Sequence, residues 1–158
     1  MKFTLAILVI LIPILMGAVC DRATPLPADK NHNTIDENTE SMIDTLIIKV
    51  ESKEFTATLL NNRSAAAFKA MLPLTMSMTE LNGNEKFFEL PQNLPTNASN
   101  AGMIKSGDLM LWGSNTLVLF YETFATSYSY TKLGKIDNPA GLAAAVGSGN
   151  VTVTIELQ

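Results

Sequence analysis

From Gly107 to Tyr130 the chain reads GDLMLWGSNTLVLFYETFATSYSY. One piece of it, Thr116 to Glu122 (TLVLFYE), is apolar at nearly every position. Side chains alternate faces along a strand, so a strand with no polar face must be covered on both sides. It follows Leu109 to Trp112 across a Gly-Ser-Asn turn. The chain ends on a cleaner version of the same theme. In GSGNVTVTIEL, Val151, Val153, Ile155 and Leu157 face one way, and Thr152, Thr154 and Glu156 the other. These segments read as the centre of a small β-barrel with an aromatic, hydroxyl-bearing wall.

The first twenty residues do not belong to that domain. Lys2 is followed by an apolar run, Leu5 to Met16, then by Gly17, Ala18 and Val19, and the chain turns polar at Asp21. Basic start, short apolar core and small-residue exit make residues 1–20 a secretory signal peptide, and the core is shorter than the ~20 residues that span a bilayer. A retained anchor is the alternative. Cys20 is the only cysteine. It is a candidate lipidation site, but Gly17 and Val19 stand where lipoprotein signals usually carry Leu and Gly or Ala. Cleavage after Cys20 is therefore preferred, and it leaves a mature chain with no disulfide. Residues 21–41 hold two prolines, many Asn and Thr, and a lone Ile35, which reads as a disordered polar tether. The expected domain is 42–158, with ten acids and eight bases, a net of minus two. Without a basic stripe it is no nucleic-acid binder. The expected localisation is extracytoplasmic, with membrane contact only through the signal or a lipid on Cys20.

Along the domain, Met42 to Val50 and Glu54 to Leu60 read as strands, the second alternating Phe55, Ala57 and Leu59 with Thr56 and Thr58. Asn62 or Ser64 can cap a helix running to Leu72, before Pro73. Leu74 to Met78 and Glu85 to Leu90 are further strands on either side of the Asn82-Gly83-Asn84 turn. Pro91 to Gly107 reads as a long connection pinned by Leu94, Met103 and Ile104, either a packed surface loop or a functional one. Asn138-Pro139 opens a second helix that Gly147 ends. The fold class is mainly β: a small closed barrel of about eight strands with two short capping helices.

Three blocks carry a resemblance: Met71 to Asn100 (MLPLTMSMTELNGNEKFFELPQNLPTNASN), Gly107 to Tyr130, and Ile136 to Leu157 (IDNPAGLAAAVGSGNVTVTIEL). In that order they resemble the bacterial cyclophilin-like domain family, from about Leu46 onward. The resemblance implies a cyclophilin-type eight-stranded barrel with two capping helices, and no settled activity. Some members stand beside or fused to flavodoxin-like domains, which makes a flavodoxin-like redox protein a further expected partner. True cyclophilins are peptidyl-prolyl isomerases with a Phe-x-x-x-x-Pro-x-Phe-x-x-Gln-Gly-Gly stretch. None exists here, the domain's only arginine is Arg63, and Gln92 sits in an unrelated loop. Fold can transfer without catalysis.

The chemistry available is narrow. The only histidine, His32, lies in the tether, so the domain has neither His nor Cys. That removes Ser-His-Asp and Cys-His nucleophile systems and the usual zinc and copper ligand sets. No phosphate-loop or dinucleotide motif is present, and no cofactor is expected. Glu80, Glu85, Glu89, Asp108, Glu122 and Asp137 form no evident acid–base pair and read as solvated charges or turn formers. Glu122 is the one to watch, because it closes an apolar strand just before the aromatic tract. Phe124, Thr126, Tyr128 and Tyr130 share one face of that tract if it is extended, and Trp112 can join them across the sheet. The alternative is that this face packs on a helix. Arg63 can meet an anion or simply stand on the helix surface. We read the domain as a non-catalytic binding module for a small molecule or an extended peptide. X-Pro isomerisation and service to a flavodoxin-like partner are the alternatives.

Overall fold

The computed structural model describes residues 44–158. The segments read as signal peptide and tether, Cys20 among them, and the first two residues assigned to the domain lie outside the described residues.

Nine strands and two short helices follow one another: β1 (Thr45–Val50), β2 (Lys53–Leu59), α1 (Arg63–Lys69), β3 (Leu74–Leu81), β4 (Glu85–Glu89), β5 (Ser99–Ile104), β6 (Asp108–Trp112), β7 (Thr116–Phe120), β8 (Phe124–Ile136), α2 (Leu142–Val146) and β9 (Val151–Leu157). Hydrogen bonding runs β2-β1-β9-β3-β4-β7-β6-β8, and β8 then pairs back onto β2. Eight strands thus close a ring, as the sequence leads one to expect. Every pairing is antiparallel.

The core fills the ring. Leu46, Ile48, Leu109, Leu111, Leu117, Leu119, Val153 and Ile155 are fully buried there. Phe68 of α1 and Leu142 and Val146 of α2 join the same cluster. Asn62 caps α1, its Oδ1 accepting from the Ala65 N–H at 2.8 Å, which answers one of the unpaired donors of a helix start. The Asn82-Gly83 turn joins β3 to β4 with both residues at positive φ, 58° and 70°. That is the geometry a tight hairpin prefers, and Gly adopts it at no steric cost.

β8 is the long strand, and its two halves do different work. Residues 131–136 pair with β6 and β2 and close the ring. Residues 124–130 pair only with β5. A register shift against β6 between Leu109 and Met110 skips Leu133, within the ring-closing half. The β5–β8 ribbon folds over the outer face of β4, β7 and β6. A second apolar cluster forms beneath it from Ile104, Met110, Val118, Phe120 and Tyr130. This is why TLVLF has no polar face: Leu117 and Leu119 enter the ring, while Val118 and Phe120 lie under the ribbon.

Three boundaries differ from expectation. The Pro91–Gly107 connection contains β5. Within it Leu94 and Ile104 are buried, but Met103 is exposed. α1 ends at Lys69, short of Leu72. α2 begins only at Leu142, because Gly141 sits at φ 82°, a left-handed conformation that cannot continue a helix from Pro139.

Candidate functional site

Between the ribbon and the outer face of β4, β7 and β6 lies a cavity of about 670 Å³. Period-two alternation builds its floor. Glu85, Phe87 and Glu89 of β4 project outward, while Lys86 and Phe88 project into the ring. Thr116 and Val118 of β7 stand beside them, in register with Glu89 and Phe87. The wall is β8: Phe124, Ala125, Thr126, Ser127 and Tyr128 all line the cavity. Consecutive strand residues point to opposite faces, so a wall of five in a row is the strand's edge. That edge lacks a strand partner among the described residues. At the rim, Trp112 and Tyr128 are exposed, at 54% and 66%.

Phe124 and Tyr130 anchor the wall. Phe120 meets Phe124 with centroids 5.8 Å apart and meets Tyr130 edge-on at 5.4 Å. Such tilted contacts add about 0.5–1.5 kcal/mol each beyond area burial. Tyr130 is 7% exposed, and burial, with a contribution from the Glu85 charge, pushes its hydroxyl pKa up.

Two polar residues at the start of β4 differ in how they are met. The Asn84 Oδ1 is buried and accepts no hydrogen bond. Glu85 is 8% exposed and forms no ion pair among the described residues. Burial raises its carboxyl above the usual carboxylate range, and the Glu80 charge adds to the shift.

The opposite face of β4 is fully satisfied. Lys86 is 0% exposed, and its ammonium donates to the Glu80 carboxylate, the Gly147 carbonyl (2.8 Å) and the Gly149 carbonyl (2.6 Å). Three donors meet three acceptors. The Tyr121 hydroxyl donates to Glu80 at 2.8 Å, and the Lys86 ammonium lies 5.2 Å from the Tyr121 ring centroid. Burial alone would raise the Glu80 pKa. Hydrogen bonds from Lys86, Tyr121 and the Gly83 N–H outweigh it and hold the carboxyl below its usual value. Burial, reinforced by that bond to Glu80, pushes Tyr121 up to about 12.

Of the residues singled out in the sequence, Trp112, Phe124, Thr126, Tyr128 and Tyr130 come together around the cavity. Glu122 and Arg63 do not. Glu122 is exposed in the bend between β7 and β8, and Arg63 is exposed at the start of α1. The aromatic tract packs on a sheet face, not on a helix. Sequence reasoning took Glu85 for a solvated charge, and the structure corrects this. The available signal was Phe87, with which strand alternation places Glu85 on one face. Among the described residues no cluster of His, Cys, Asp and Glu is arranged to hold a metal ion. Nor is any helix long and apolar enough to cross a membrane.

The buried Glu85 makes a stability prediction. Its folded-state pKa lies above the unfolded value, so the folded state binds the extra proton. Stability therefore falls as pH rises from the ordinary glutamate pKa through the raised one, and stays lower above it. Glu85→Gln removes the charge at constant shape. It stabilises the protein at pH 7 by roughly 1–2 kcal/mol and flattens this part of the pH profile. Urea unfolding between pH 4 and pH 8 measures both effects.

No curated protein matches the chain. A model of the Cyclophilin-like family matches residues 48–156. Those residues run from within β1 to within β9 and take in the closed ring, both helices and the cavity with its β8 wall. The match covers more than half of the chain and coincides with the eight-stranded ring, and on that ground this protein belongs to the Cyclophilin-like family.

Proposed function

We propose that this chain is an exported, non-catalytic binding module that takes a small molecule or an extended peptide into the cavity between β8 and the β4–β7–β6 face. One observation carries the proposal. The cavity has aromatic walls, yet its floor carries Glu85, 8% exposed and without an ion-pair partner among the described residues. Its volume falls in the range of ligand sites, which are mostly apolar with a few convergent polar groups. Export rests on the Lys2–Cys20 pattern. Prolyl isomerisation fits the cavity poorly, because Arg63 is not among its lining residues.

Thermal-shift screening against small-molecule and peptide panels tests the proposal. A ligand at a hundred times its Kd stabilises the fold by about 2.7 kcal/mol. The expected result is a clear rise in Tm that Tyr128→Ala or Trp112→Ala removes. A panel that never moves Tm, or a shift that survives both substitutions, contradicts the proposal. Acceleration of a proline-peptide assay that Arg63→Ala abolishes would favour the isomerase instead.

A further inference from the structure

We infer that this cavity selects ligands bearing an ammonium group on an apolar body, with the Glu85 carboxylate as the acceptor. The inference rests on the cavity being a binding site and adds which chemistry that site selects.

Glu85 lines the cavity, is 8% exposed as a residue, and forms no ion pair among the described residues. An ammonium group offers that carboxylate three donors and a compensating charge. An alcohol has a single hydrogen to donate. The charge balance points the same way. Glu85 and Glu89 line the cavity, and no lysine or arginine is among the lining residues. The nearest lysine in sequence, Lys86, is turned to the other face of β4 with all three donors committed. A carboxylate ligand would meet like charge in a desolvated site, a costly arrangement. Phe87, Trp112, Phe124 and Tyr128 supply the faces for the apolar body, and such faces also attract cations.

The full chain carries its own reporter, because Trp112 is the only tryptophan and stands at the cavity rim. Its fluorescence is followed during titration with 4-phenylbutylamine, 4-phenylbutanol and 4-phenylbutanoate. These share a body and differ in the head. The amine is expected to bind at least ~10-fold more tightly than the alcohol, since charged hydrogen bonds exceed neutral ones by about that factor. The carboxylate is expected to bind more weakly than either. Glu85→Gln, checked for folding by circular dichroism, brings the amine to the alcohol's affinity and leaves the alcohol within ~2-fold. Glu122→Gln removes one charge outside the cavity and leaves the amine preference in place. Equal binding of amine and alcohol overturns the inference and leaves the cavity reading standing. So does a preference that survives Glu85→Gln, or one that Glu122→Gln abolishes. Failure of all three probes to perturb Trp112 or to raise Tm overturns the inference together with the cavity reading.

Discussion

Gly134→Ala is expected to destabilise the protein by about 3 kcal/mol, the upper range for overpacking a core. Gly134 sits where β8 closes the ring, paired with Leu59 of β2 on one side and Leu109 of β6 on the other. A Cβ there would stand 2.5 Å from the Thr58 carbonyl oxygen and 3.2 Å from the Leu59 Cα. Both are backbone atoms, so no rotamer change relieves the clash. The β2–β8 seam must open or the strand must shift. For a domain of this size the loss lowers Tm by roughly 10–20 °C. Hydrogen exchange should speed up first at the seam amides of β2 and β8. A loss under about 1 kcal/mol would mean the seam has slack that the geometry does not show.

Lys86→Met is the second large effect. It leaves the Glu80 carboxylate and the Gly147 and Gly149 carbonyls without their shared donor. Removing one partner of a fully buried pair costs about 3–5 kcal/mol, and because the Glu80 side chain is 21% exposed water takes up part of the stranded charge, so the expected loss is about 2–3 kcal/mol. Adding Glu80→Gln to Lys86→Met should recover part of that loss, because it removes the stranded charge. The pH dependence has a definite sign. Glu80 has a depressed folded-state pKa, so its contribution is present above the ordinary glutamate pKa and is lost as pH falls through the folded value. Lys86→Met should therefore flatten the acid limb of the stability curve. A Lys86→Met protein as stable as the parent would show that the loop after α2 is held by other contacts.

The strand faces were legible in the sequence because period-two patterning needs no knowledge of tertiary partners. Val151, Val153 and Ile155 point inward as their alternation with threonine requires. Thr116 to Phe120 is covered on both faces, as its unbroken apolar run demands. The sequence also pointed to Trp112 and the Phe124–Tyr130 tract, but period two gives the tract one shared face, whereas consecutive residues of β8 line the cavity along the strand's edge. β5 was not legible. Its sequence, SNAGMI, is broken by a bulge at which the Asn100 side chain accepts from the Gly102 N–H at 2.7 Å, with Gly102 at φ 65°. That local bond erases the alternation by which a strand is recognised. The roles of Glu85 and Lys86 were hidden because a Glu-Lys pair at a strand start looks solvated. Only the ribbon folding over one face and the α2–β9 loop closing on the other bury them. Glu122 drew attention by ending an apolar run, yet β7 stops at Phe120, and the bend that follows carries Glu122 to the surface.

The most direct test of the cavity as the binding site is an amide NMR titration of the full chain with the most stabilising member of the thermal-shift panel. The account predicts perturbations at the Trp112 indole N–H and at the amides of Phe87, Val118, Thr126 and Tyr128, with β1, β2 and β9 silent. Perturbations centred on α1 around Arg63 or on β1, β2 and β9, or none at any ligand concentration, would contradict it.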